Sequence, residues 1–235
     1  FRNADILNGG QGAPLVPIFH KAIFSHPHSN SAIVNIGGIV NITWLKNKQL
    51  FLSTDLGPGN VLMDQFCIKQ LNQPYDMDGA FALQGKVNFD LLKKWMNSHF
   101  INQSVPKSFD NYIFKIEDYL IGINNLSSFD VLATFNKFCA DIITDSKRFF
   151  SSTIDRWILC GGGAKNKCLL KNIQNNVENV LISNELGWDA DFIESQAFAY
   201  LAIRKTKGLY STFIETTGTK TPTICGELYE PKTMI

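Results

Sequence analysis

The chain has 235 residues, 45% apolar and 18% charged, with 22 Lys+Arg against 21 Asp+Glu and a net charge of +1. That composition belongs to a globular chain long enough for one large domain or two small ones, and it excludes a disordered tail protein. The absence of a basic excess argues against nucleic acid as a partner. No apolar run approaches the roughly 20 residues that cross a bilayer, which argues against a membrane.

The chain opens at Phe1 inside "FRNADILNGGQGAPLVPIFH", which reads as the continuation of something upstream. Gly9, Gly10, Gly12, Pro14 and Pro17 make a turn region there, flanked by Arg2 and Asp5. Those two either touch a polar substrate or pair with each other at the surface. His26 and His28, on either side of Pro27, read as a surface turn rather than a metal pair. Ser31–Leu45 is rich in Ile and Val, and Gly37-Gly38 between its halves predicts a tight hairpin. Lys46–Gln49 is a second turn, and Leu50–Thr54 a third strand that ends at Asp55. Gly57-Pro58-Gly59 follows, then a helical pattern from Asn60.

Residues 72–125 are richer in Asp, Asn, Lys and aromatics and read as an inserted subdomain, with a helix at "LLKKWM". Val131, Leu132, Phe135, Cys139 and Ile142 recur at helical spacing, and Ser127 with Asp130 predicts the N-terminal capping box. Arg156–Ile173 reads as strand, glycine turn and helix, and Val180–Ser183 as a buried strand. Asp189–Lys205 is apolar nearly all round at Ala197–Ile203, which predicts a buried helix. The order βββα, insertion, αβαβα predicts an α/β layered fold with a mixed sheet.

Two glycine turns follow apolar strands, one at Gly37-Gly38 and one at Gly161–Gly163. Neither matches a known phosphate-loop spacing, and each alone fits a hairpin or a cap. Together with the turn at Gly57–Gly59 they point to a nucleotide cleft, where free N–H groups hold anionic oxygens. A carboxylate at a strand end, such as Asp55, reaches into such a crevice and serves as a base. Equally open is a plain capping role for Asp55. Asp64 and Glu194 lie in first helical turns, where they complement the dipole or hold a sugar hydroxyl or a magnesium-bound water. Asp76 and Asp78 resemble half a calcium loop but lack its remaining ligands, so they read as a polar turn. The five cysteines are scattered without CxxC pairs, which fits reduced thiols in a cytoplasmic protein and not zinc. No Ser/His/Asp or Cys/His nucleophile arrangement stands out.

"FRNADILNGGQGAPLVPIFH", "NIGGIVNIT", "DLGPGNVLMD", "YDMDGAFALQGKVN", "CGGGAKN" and "ESQAFAYLAIR", in this order, resemble the anhydro-N-acetylmuramic acid kinase family. The resemblance runs from Phe1 to the closing "TGTKTPTICGELYEP". It implies an actin-like ATPase (ribonuclease H-like) lobe of the sugar kinase, Hsp70 and actin superfold, with a mixed sheet flanked by helices and an inserted subdomain. It implies ATP and Mg2+ as cofactors, 1,6-anhydro-N-acetylmuramic acid as substrate, and a cytoplasmic place in peptidoglycan recycling. Asp55 takes the position of the base that activates water. Gly37 and Gly38 resemble the second phosphate loop, and Gly161, Gly162 and Gly163, with Asn166, the adenosine loop. Arg2, Asp5, Gln11, Asn60 and Glu194 fall on the substrate side of these motifs, no metal ligand is assigned, and a homodimer is left open.

On this resemblance, residues 1–28 are the tail of an N-terminal lobe, 29–71 and 126–215 the C-terminal actin-like lobe, 72–125 the substrate-side insertion and 216–235 a closing segment. Two departures stand out. The family's glycine-, Ser- and Asp-containing N-terminal phosphate loop is absent, so the chain is expected to need that lobe. After Pro106-Lys107-Ser108 the family usually carries Thr-Gly-Arg, and Phe109-Asp110-Asn111 stands here instead. A non-catalytic lobe that binds sugar or a protein is the alternative expectation. A polyphosphate phosphatase of the same superfold is a third, against which "GGQGAPLVP" argues.

Overall fold

The structure, a computed structural model, describes residues 1–123 and 125–229. Residues 230–235 of the expected closing segment therefore lie outside the described residues. Five strands, β1 (Asn30–Ile36), β2 (Ile39–Lys46), β3 (Gln49–Pro58), β4 (Arg156–Cys160) and β5 (Val180–Ile182), form one sheet in the order β3-β2-β1-β4-β5. Helices α1 (Arg2–Leu7) and α2 (Pro17–Phe24) precede it, and α3 (Val61–Phe66) follows β3. Helices α4 (Phe89–Met96) and α5 (Ile116–Tyr119) lie within residues 72–125, and α6 (Ser128–Asp145) leads to β4. Helix α7 (Lys167–Gln174) joins β4 to β5, and α8 (Ile193–Thr206) and α9 (Ile214–Thr217) follow.

The first three strands are an antiparallel meander, and β4 and β5 run parallel to β1. This is a mixed sheet flanked by helices, as the order of elements predicts. Gly37-Gly38 closes the first hairpin with Ile36 opposite Val40. In the second, Asn47 and Lys48 take φ of 47° and 67°, the left-handed pair that a two-residue hairpin turn demands.

Both faces of the sheet are covered, so Ala32-Ile33-Val34 of β1 reads as a continuous apolar run rather than an alternating one. Ala32, Val34 and Ile36 face a large core shared with α3, α4, α6 and α7. Ile33 faces a smaller core with Phe19 and Phe24 of α2 and Ile193 and Ala197 of α8. Helix α6 starts as its sequence predicts, with the Ser127 hydroxyl accepting from the Asp130 N–H at 3.1 Å. The Asp130 carboxylate also accepts the Lys86 N–H, which ties the start of α6 to the segment before α4. Residues 72–125 build into the main core: Trp95 of α4 stacks on Phe135 of α6 with centroids 4.6 Å apart and planes 8° apart.

Three expectations change. Strand β3 does not end at Asp55 but runs on through Pro58, because the antiparallel pairing with β2 continues to Ile39. Helix α8 is not buried all round: Ile193, Ala197 and Leu201 make one buried stripe, while Phe198 is 40% and Ile203 54% exposed. That stripe packs on α2 and on Ile33, Ile158 and Cys160 of the sheet, while Phe198 meets Phe1 with ring centroids 5.9 Å apart. The segment at Val180 is a half-buried edge strand, since no strand lies outside β5.

Candidate active site

Strands β1, β3 and β4 point the same way, so the turns that follow them gather at one end of the sheet. There they interlock. The Gly59 N–H donates to Gly38 O at 2.8 Å, Asn60 N–H to Gly37 O at 2.9 Å and Val61 N–H to Gly38 O at 3.2 Å. A Cβ on Gly59 would sit 2.4 Å from Gly37 O, so the two turns touch backbone to backbone. Gly161 takes φ 77°, and a Cβ there would lie 2.5 Å from Asn35 Oδ1. These glycines serve close packing of the chain on itself, and the N–H groups of Gly59, Asn60 and Val61 are occupied. Gly162 differs: a Cβ on it meets nothing within 4 Å.

The helix expected directly after Gly163 begins only at Lys167, behind a 3-10 turn over Gly162–Lys165. Asn166 caps α7, its Oδ1 accepting from the Leu169 N–H at 3.0 Å. Beside this turn lies a cavity of about 480 Å³ lined by Asn60, Asp64, Tyr75, Gly162, Gly163 and Asn166. Burial pushes the Asp64 carboxyl up to about 6. Asp76, at the back of the cavity, accepts from the N–H groups of Phe81 and Ala82, and Asp78 pairs with Lys167 at 3.3 Å. The polar-turn reading of "YDMDGA" therefore holds.

Asp55 stands just before a β-bulge. Asn41 faces Asp55 and Val40 faces Gly57, which leaves Leu56 unopposed and buried in the main core. Bulges re-aim neighbouring side chains, and here the acid is turned towards the outer edge of β3. Residues 106–109 lie along that edge. The Asp55 N–H donates to Lys107 O at 2.9 Å, and the Phe109 N–H donates to Asp55 Oδ2 at 2.7 Å. Asp55 is 6% exposed. Burial pushes it up to about 6, against the opposing pull of the Phe109 N–H, the Ser108 hydroxyl and the Lys107 charge, with Asp110 adding to the rise. Two residues on, Asn111 packs on the first glycine turn, so near that a Cβ on Gly38 would be 2.8 Å from its Oδ1. The stretch where the chain departs from the family pattern thus spans from Asp55 to Gly38.

A second, open cavity of about 580 Å³ lies over this segment, with Arg2, Gln11, Lys107, Ser108 and Asp110 in its wall. Gln11 Nε2 donates to Pro106 O at 3.0 Å, which ties the "GGQG" turn to the segment. Asp5 is fully buried and makes no surface pair with Arg2: its carboxylate accepts the Gly12 N–H at 2.8 Å and the Thr217 hydroxyl at 2.7 Å. Its place is inside the turn. Glu194 is exposed in the first turn of α8 and lines neither cavity. The structure adds Lys107 and Ser108 beside Asp55 and Tyr75 in the first cavity. The "PKS" stretch and the "YDMDGA" motif were the sequence signals for these. All five cysteines are buried and unpaired. Among the described residues no helix is long and apolar enough to cross a membrane.

The profile of the Anhydro-N-acetylmuramic acid kinase family matches residues 1–231. An anhydro-N-acetylmuramic acid kinase of Paramagnetospirillum magneticum is 34% identical over 232 residues, covering 98% of this chain and 65% of that protein. One from Vibrio cholerae is 37% identical over 236 residues, covering 98% of this chain and 64% of that protein. The chain spans between 62% and 65% of the length of such curated relatives. Among solved structures, the activator of the 2-hydroxyisocaproyl-CoA dehydratase from Clostridium difficile with bound ADPNP aligns with a TM-score of 0.49 at 18% identity, over 80% of this chain and 65% of that one. MreB 5 of Spiroplasma citri bound to AMPPNP aligns at 0.45 and 11% identity, over 83% and 59%. The profile match covers nearly the whole chain, and on it the chain belongs to the anhydro-N-acetylmuramic acid kinase family.

Proposed function

We propose that this chain carries the water-activating base and the nucleoside side of an ATP-dependent anhydro-N-acetylmuramic acid kinase. The reaction opens the 1,6-anhydro bridge and phosphorylates O6, giving N-acetylmuramic acid 6-phosphate for peptidoglycan recycling. Water attacks C1, the bridge oxygen leaves C1 as O6, and that oxygen takes the phosphoryl group of ATP. Asp55 accepts the proton of the attacking water. The observation that carries this reading is the setting of Asp55: an acid pushed up to about 6, roofed by the segment that reaches Gly38. A base titrating near the working pH is the efficient one.

ATP fits the cavity of about 480 Å³, where Gly162 leaves open space against the wall. The acids there, Asp64 and Asp78, suit the hydroxyl and amino donors of a nucleoside rather than its phosphates. Arg2 and Gln11 on the second cavity would meet the sugar. Among the described residues no group of three or more His, Cys, Asp or Glu could hold a metal ion. Mg2+ needs no such group, since one or two carboxylates together with the phosphates of ATP hold it, and no step here runs through the ion. Buried free thiols and ATP use both suit a cytoplasmic setting.

The test is turnover of the anhydro sugar with ATP, read as ADP and sugar 6-phosphate. Asp55→Asn is expected to lower kcat by about 10²- to 10⁴-fold. An Asp55→Asn protein as fast as the unmodified one removes the base assignment.

A further inference from the structure

Lys107 is the one buried lysine among the described residues, 6% exposed. No carboxylate among those residues lies within ion-pair distance of it. Its Nζ donates to Phe100 O at 2.6 Å and to Ile101 O at 3.4 Å, and lies 5.6 Å and 5.9 Å from the ring centroids of Phe109 and Phe149. A buried ammonium without a counter-ion is costly, and an apolar side chain of similar volume is usually the more stable choice. Its backbone is pinned as well: Lys107 N–H donates to the Thr54 hydroxyl at 2.9 Å, and Lys107 O accepts from Asp55 N–H. The ligand of the Asp55 carboxylate, the Phe109 N–H, is two residues further along the same segment.

We propose that Lys107 is a positioning residue for Asp55: its ammonium clamps the 106–109 segment between β3 and the Phe100–Ile101 carbonyls and its charge favours the ionised acid. The catalytic meaning of this rests on the base role of Asp55 proposed above; the coupling itself does not. The charged groups that face the pair are few. Asp110 opposes ionisation of Asp55, while Arg148 opposes protonation of Lys107. Arg148 also donates to Ile101 O at 2.6 Å and pairs with Asp145 at 3.3 Å, so two cations share one carbonyl. Burial, then Arg148, push the Lys107 ammonium down to about 8, with Asp55 holding it up.

The experiment is a carboxyl-carbon NMR titration of Asp55 in the whole chain without substrate, its signal assigned by loss in Asp55→Asn. In Lys107→Met, Asp55 is expected to bind its proton roughly tenfold more tightly, and the Phe109 N–H to exchange with solvent faster. A merely structural lysine would lower the melting temperature and leave the Asp55 midpoint where it was, and that result overturns the proposal. The reciprocal measurement needs no folded Lys107 variant: the Lys107 ε-carbon is titrated in the unmodified chain and in Asp55→Asn. Its proton affinity should fall several-fold when the acid is removed; an unmoved midpoint overturns the coupling. Neither readout involves turnover, so coupled midpoints with an Asp55→Asn kinase as fast as the unmodified one would refute the proposed function alone. An active kinase with uncoupled midpoints would refute this inference alone.

Discussion

Gly162 and Gly163 are neighbours in one motif, and the structure gives them opposite reasons to be glycine. A Cβ on Gly163 falls 2.2 Å from Ile36 Cγ2 and 2.8 Å from Ile36 Cβ. Ile36 is fully buried at the end of β1 and cannot retreat. Overpacking of this kind costs about 1–3 kcal/mol. For a chain of this size that is a loss of roughly 2–12 °C in melting temperature. A Cβ on Gly162 meets no atom within 4 Å, so Gly162→Ala should stay within about 0.5 kcal/mol of the unmodified chain. Its methyl instead enters the space offered to the nucleoside in the cavity of about 480 Å³. There a clash worth about 1.4 kcal/mol weakens ATP about tenfold. Urea unfolding of both variants, followed by calorimetry with ATP, separates the two effects. A Gly163→Ala protein as stable as its parent, or a Gly162→Ala protein that binds ATP undiminished, would refute the reasoning for that residue.

Asp55→Asn should gain stability as it loses turnover. An acid raised to about 6 by burial stabilises the fold while protonated; that contribution is complete below about 4 and lost as pH rises through about 6. The variant skips this loss, so urea midpoints should favour it by about 1–3 kcal/mol at pH near 8 and by little at pH near 4; equal midpoints at both would contradict the burial argument. Thr217→Val removes the hydroxyl from the fully buried Asp5 carboxylate and should cost about 1–3 kcal/mol, read in the same unfolding assay.

The elements were legible where local pattern and tertiary setting agree. Gly37-Gly38 announces the first hairpin, Ser127 the start of α6, and the apolar runs of β1 and β4 a sheet covered on both faces. The misread elements depend on neighbours far away in the chain. Nothing in Leu50–Thr54 says that pairing with β2 carries β3 on to Pro58. The apolar positions of α8 do not say that only one stripe of it joins the core. The same holds for the site. Asp55 was visible because an acid beside glycine turns is unusual, whereas Lys107 was not, because a lysine between Pro106 and Ser108 looks like any solvated one. Its burial follows from residues 99–102 and Arg148 folding against it.

The rigid turn after Asp55 also acquires a different meaning. In sequence, Gly57-Pro58-Gly59 looked like an opening for a ligand. In the structure its backbone is filled by the first hairpin: Gly59, Asn60 and Val61 all donate to Gly37 or Gly38. That interlock fixes the end of β3 against the end of β1. With the end fixed, the bulge at Leu56 has one place to sit, and Asp55 has one direction to point. The 106–109 segment then supplies the other half, hydrogen bonds that hold the carboxylate and walls that dehydrate it. Burial outweighs those hydrogen bonds, since the net movement is upward. A looser turn would let the acid swing to solvent and return to an ordinary carboxylate, too weak a base near neutrality. Rigidity here sets proton affinity, and on the base role proposed for Asp55 the glycines act on the chemistry through that acid as much as through any ligand.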